Sequence, residues 1–159
     1  MAVTFNQIQD FLSKKRIAFI GISRDEKNYT RNLFREMTSR GYDVVPVNPN
    51  ATEIEGLKCY GRLSQVSPGP EAALIFTTSL PLESLMDECL ASGIKNVWVY
   101  NPRDKGRAVK PVEDFSRDNG INFISGYCPF MFLKDSAFVH RLHGFFLRLS
   151  GSYPARERS

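Results

Sequence analysis

The chain has 159 residues, a length at which one hydrophobic core is usual, and its 42% hydrophobic and 24% charged residues are those of a folded globular protein, not of a disordered or collagen-like one. Its 21 Lys+Arg against 17 Asp+Glu leave a net charge of +4, an excess too mild to point to nucleic acid by itself. No apolar run approaches the roughly 20 residues of a membrane span, and the opening MAVTFNQIQDFLSKK lacks the apolar centre of a secretory signal. Cys59, Cys89 and Cys128 are odd in number and irregularly spaced. They suggest neither a disulfide framework nor a zinc site, so reduced thiols and a cytoplasmic location are the expectation.

Phe5, Ile8, Phe11 and Leu12 recur at helical spacing behind Thr4, which predicts a short capped helix packed on the sheet edge. Arg16 to Gly21 is an apolar run of the kind found in a strand buried on both faces. Residues 28–40 place Leu33, Phe34 and Met37 on one helical face and stop at Gly41. Tyr42 to Val47 reads as a second strand, in which Pro46 either leaves its ladder position unpaired or ends the strand early. Ala72 to Phe76 is a third strand, and Ser79 and Pro81 start a helix with Leu82, Leu85, Met86, Cys89 and Leu90 inward. Val97 to Tyr100 is the fourth strand, a helix from near Pro111 ends before Gly120, and Ile121 to Ile124 is the fifth strand.

Strands and helices alternating at this spacing predict an α/β, Rossmann-like, doubly wound parallel sheet of about five strands with helices on both faces. Phe138, Val139, Leu142, Phe145, Phe146 and Leu149 form a stripe that predicts a C-terminal helix. Residues 1–150 are read as one domain and residues 151–159 as a basic, loose tail.

In such sheets ligands bind at the carboxyl ends of the strands, and the first strand-to-helix turn offers N–H groups and a positive dipole to a phosphate. Gly21-Ile22-Ser23-Arg24-Asp25-Glu26-Lys27-Asn28-Tyr29 occupies that position. Gly21 lets backbone approach a ligand, Ser23 can donate a hydrogen bond, and Arg24, Lys27 and Arg31 can offset phosphate charge. The dinucleotide fingerprint needs glycine where Ser23 stands and an acid at the end of the second strand, where this chain has Asn48-Pro49-Asn50. A nicotinamide enzyme is therefore disfavoured, and no Walker pattern supports nucleotide hydrolysis.

The blocks Ile17 to Asp25, Gly41 to Pro49, Glu53 to Tyr60, Val97-Trp98-Val99 and Cys128-Pro129 occur in this order across about residues 15–133. In them the chain resembles the stand-alone CoA-binding proteins related to the CoA-binding domain of the succinyl-CoA synthetase α subunit. The resemblance implies that coenzyme A lies across the strand ends, with Gly21, Ile22 and Ser23 at the phosphates. Asn48 and Pro49 would flank the adenosine, Phe76, Thr77 and Thr78 would line the next loop, and Tyr100, Asn101, Cys128 and Pro129 would complete the cleft.

Asp25 and Glu26 put carboxylates near the phosphate loop, where they weaken binding unless they point away. Cys128 could meet the CoA thiol, yet free cysteines are usually small buried hydrophobes. His140 and His143 are three apart on the C-terminal helix, and two such ligands without a third do not make a metal site. Gly21-Ile22-Ser23 opens like a nucleophile elbow but continues to Asp25 instead of glycine. The expected function is a CoA or acyl-CoA binding protein of non-catalytic, ligand-binding or regulatory type, with a Rossmann enzyme using a nucleotide cofactor as the alternative. The expected partners are the CoA ligand and either a partner protein or a second copy, without membrane or nucleic acid.

Overall fold

The computed structural model describes residues 2–76, 80–101 and 110–133. The C-terminal helix, the tail and His140 and His143 lie outside them. The N-terminal helix α1 spans Phe5–Leu12 and is fixed by a reciprocal cap, in which the Gln7 N–H donates to Thr4 Oγ1 and the Thr4 N–H to Gln7 Oε1. After it come β1 (Arg16–Ile20), α2 (Tyr29–Ser39), β2 (Asp43–Val47), β3 (Glu53–Ile54), β4 (Leu57–Lys58) and β5 (Ala72–Phe76). The remainder is α3 (Leu82–Ala91), β6 (Asn96–Tyr100), α4 (Lys110–Asp118) and β7 (Asn122–Ser125).

Five strands form one parallel sheet in the order β2-β1-β5-β6-β7, so the winding reverses between β1 and β5. Both faces of this sheet are covered, which explains why the strands read as continuous apolar runs with no alternation. On one face Phe19, Leu74 and Trp98 pack with Ile8 and Phe11 of α1 and Leu33, Phe34 and Met37 of α2. On the other, Ala18, Ile75 and Val97 pack with Leu85, Met86 and Cys89 of α3 and Val112 of α4.

Helix α1 packs at the sheet edge, as its sequence suggested, over the face of the edge strand β7 and its neighbour β6. The Phe11 ring meets Trp98 edge-on at 5.3 Å, and Asn122 of β7 donates to the Gln7 carbonyl. Trp98 of β6 is fully buried, with the Phe11 ring against it.

Pro46 is paired with Phe19 within the edge strand β2. Its carbonyl points outward to accept the Tyr60 N–H, so the missing proline donor costs no bond to β1. Between β2 and β5 runs the long connection of residues 48–71, which contains the two-residue strands β3 and β4 as an antiparallel hairpin. Its turn residues Glu55 and Gly56 have φ of 53° and 73°, the pair of positive values that a type I′ turn demands.

Candidate functional site

The carboxyl ends of β1, β2 and β5 open on a cleft of about 820 Å³. This is the crevice where winding reverses, the position at which doubly wound sheets take ligands. Its rim begins with Gly21, whose φ of 84° turns the chain out of β1 at no steric cost. Ile22, Ser23 and Arg24 follow, then Asn28, Tyr29 and Thr30 at the start of α2 and Asn48, Pro49 and Asn50 after β2. Phe76 of β5, Leu85 and Glu88 of α3, and Asn101 after β6 form the far wall.

The loop between β1 and α2 is tied mainly to itself. The Gly21 N–H donates to the Val47 carbonyl, Ser23 N–H to Thr30 Oγ1, Asp25 N–H to Ser23 Oγ and Lys27 N–H to Asp25 Oδ1. Asn28 caps α2 by accepting from the Thr30 N–H, while its carbonyl takes the Arg31 N–H. Asp25 and Glu26 are exposed and line neither this cleft nor its neighbour, so their carboxylates point away from the site. Lys27 is likewise exposed and off the cleft wall.

Arg31 is buried, at 6% exposure. Its Nε donates to Glu55 Oε1 at 2.8 Å, and Nη1 donates to the carbonyls of Ser23 and Arg24. Glu55 also pairs with Arg35, and the bonds from Arg35 and then Arg31 hold its carboxyl below the usual carboxylate range against the opposing effect of burial. The hairpin turn thus braces the loop from behind. Asn48 performs the same service on the other side, with Nδ2 donating to the Ile22 carbonyl and Oδ1 accepting the Asn50 N–H.

A second cavity of about 540 Å³ shares Arg24, Pro49 and Asn50 with the cleft and continues over Arg31, Thr52 and Glu53. On the opposite side Tyr29 separates the cleft from an aromatic cluster. Its ring contacts Phe76, Tyr100 and Phe130, and its hydroxyl shares a 2.7 Å hydrogen bond with the Cys128 thiol. Burial pushes the Cys128 thiol up, an effect partly offset by hydrogen bonds from Tyr29, the Phe130 N–H, Tyr100 and the Met131 N–H. Burial and the same thiol push Tyr100 up to about 12.

Of the residues the sequence suggested, Gly21, Ile22, Ser23, Arg24, Tyr29, Asn48, Pro49, Phe76 and Asn101 meet at the cleft. Arg31 lies on the second cavity, whereas Tyr100, Cys128 and Pro129 sit outside the cleft's lining, the last two buried. Thr77 and Thr78 lie outside the described residues. Sequence reasoning missed Arg62, Leu80, Ser84 and Glu88. The 84 and 88 spacing marks one helix face, but only the strand order shows that this face meets the cleft.

Residues 15–134 match the family described as CoA binding domain. The chain belongs to that family. An acetate–CoA ligase (ADP-forming) II of Archaeoglobus fulgidus is 31% identical over 100 residues, 62% of this CoA-binding domain chain but 15% of the ligase. The uncharacterized protein YneT of Bacillus subtilis is 27% identical over 114 residues, covering 65% of this chain and 84% of YneT. A solved structure described as a hypothetical protein from Pyrococcus horikoshii superposes with a TM-score of 0.67 at 23% identity, over 80% of this chain and 87% of that one, and shares the fold. The CoA-binding domain thus spans a small part of the ligase and most of YneT. Among the described residues no helix is long and apolar enough to cross a membrane.

Proposed function

We propose that this chain binds coenzyme A or an acyl-CoA in the cleft at the β1/β5 switch point, as a non-catalytic ligand-binding or regulatory module. The observation that carries the reading is the match of the cleft's two halves to the two ends of such a ligand. Gly21, Arg24 and the start of α2 present a close backbone approach, a cation and a helix dipole to phosphate, while Ile20, Val47, Leu63, Phe76 and Leu85 offer apolar surface to a pantetheine arm. Family membership supports the same ligand class.

A chemical step would require a nucleophile and a base in mutual reach. The carboxyl and phenol groups on the wall are otherwise engaged: Glu88 accepts the Ser64 N–H and faces Arg62, and Tyr29 is bound to Cys128. For the alternative, a nucleotide-dependent enzyme, the end of β2 supplies Asn48, whose amide is already committed on both atoms, where a ribose-binding acid would stand. The protein would sense the thioester or present it to a partner. Isothermal titration with CoA and with NAD tests this: heat from CoA and none from NAD is expected, and the reverse overturns the reading.

A further inference from the structure

We infer that the second cavity seats the ribose phosphate of the ligand and that Arg24 is the residue that distinguishes coenzyme A from nucleotides lacking that phosphate. This rests on the CoA reading above and specifies which part of the site reads which part of the ligand.

Many backbone donors of the loop already have partners within the protein: that of Gly21 goes to the Val47 carbonyl of β2, and those of Ser23, Asp25, Lys27, Asn28 and Thr30 go to atoms of the loop and the first turn of α2. Charge recognition there falls mainly to side chains. Arg31 is committed to Glu55 and to two carbonyls, Lys27 lines neither cavity, and Arg62 leans on Glu88 at 3.7 Å. Arg24 is exposed, and no hydrogen bond or ion pair among the described residues occupies its guanidinium. It lines both cavities.

In doubly wound nucleotide sites the ribose falls beside the end of the second strand, where an acid holds free hydroxyls and an arginine accommodates a phosphate on the ribose. Here that strand end carries no acid in Asn48-Pro49-Asn50, and Arg24 shares both cavities with Pro49 and Asn50. Glu53 also lines the smaller cavity, and no ion pair joins it to Arg24 among the described residues. Glu55 is held by Arg31 and Arg35. The guanidinium at the junction is thus bound to neither carboxylate, and its planar shape matches a phosphate with paired donors.

Calorimetric titration of the full chain with CoA and with 3′-dephospho-CoA, for wild type, Arg24→Ala and Arg24→Lys, decides the matter. Wild type should prefer CoA by about ten- to a hundredfold, the effect of one charge-assisted contact. Arg24→Ala should remove that preference by weakening CoA far more than dephospho-CoA, and Arg24→Lys should retain part of it. Because Arg24 is exposed, melting curves should coincide and exclude misfolding. Equal wild-type affinity for the two ligands, or an equal loss of both in Arg24→Ala, overturns the assignment of Arg24 while leaving CoA binding intact. Silence from both ligands in wild type overturns the CoA reading and this inference together.

Discussion

Replacing Glu55 with Gln isolates the brace behind the ligand loop, because the substitution keeps length and shape while removing the charge. Arg31 would lose its carboxylate partner at 2.6 Å while staying 6% exposed, and would retain its bonds to the carbonyls of Ser23 and Arg24. A hydrogen bond to a charged group contributes about 1.5–3 kcal/mol, and the Glu55 side chain is 23% exposed, so solvent screening places the loss near the lower end, about 1.5 kcal/mol. For a chain of this size that corresponds to about 3–6 °C in melting temperature. The pH dependence provides an independent sign. The folded carboxyl is held below its ordinary value and binds its proton less readily than the unfolded one. Its contribution is fully present above about pH 4.3, the unfolded value, and is lost as pH falls through the lowered folded value. Urea unfolding followed by circular dichroism at pH 7 and in steps below pH 5 should show wild type and Glu55→Gln converging as acid is added. A gap that stays constant with pH, or no gap at pH 7, refutes the assignment of the ion pair.

Cys59, Cys89 and Cys128 are all buried, and burial raises each thiol, Cys89 to about 12. A colorimetric disulfide reagent at pH 8 should therefore react slowly with the native protein and rapidly with all three thiols in guanidinium, whereas immediate labelling of native Cys128 would show an accessible thiolate. At Gly21 the φ of 84° strains any residue with a Cβ. Gly21→Ala should cost about 1–2 kcal/mol, read as a lower urea midpoint, and an unchanged midpoint would show that the loop adapts freely.

The main sheet was legible because its strands are buried on both faces. Ile17 to Ile20 and Ala72 to Phe76 need no partner to declare themselves, and the glycines after α2 and α3 mark where those helices stop. Boundaries moved by a residue or so, as with β7 at Asn122–Ser125. The β3–β4 hairpin was not legible. Two-residue strands carry no periodicity, and the turn places Glu at a positive φ, where Gly, Asn or Asp is the usual signal. What supports that choice is Arg31 and Arg35, some twenty residues earlier in the chain, a tertiary contact that no local pattern encodes.

The same distinction explains the site. The loop after β1 could be located because it follows a buried strand, but whether its N–H groups and cations were free depended on contacts invisible in the sequence. Arg24, Lys27 and Arg31 look equivalent as text, three cations within eight positions. The fold separates them: it buries Arg31 against Glu55, turns Lys27 away and leaves Arg24 where the two cavities meet. Cys128, expected at the end of the cleft but more as a small buried hydrophobe than as a reactive thiol, lies behind Tyr29 with its thiol raised by burial. A cation brought out by the fold beside a loop that has spent many of its backbone donors makes binding depend on charge and therefore on salt. If Arg24 carries the phosphate contact as inferred, the salt dependence of CoA affinity should flatten in Arg24→Ala; if backbone N–H groups carry it, wild type and variant should show the same slope.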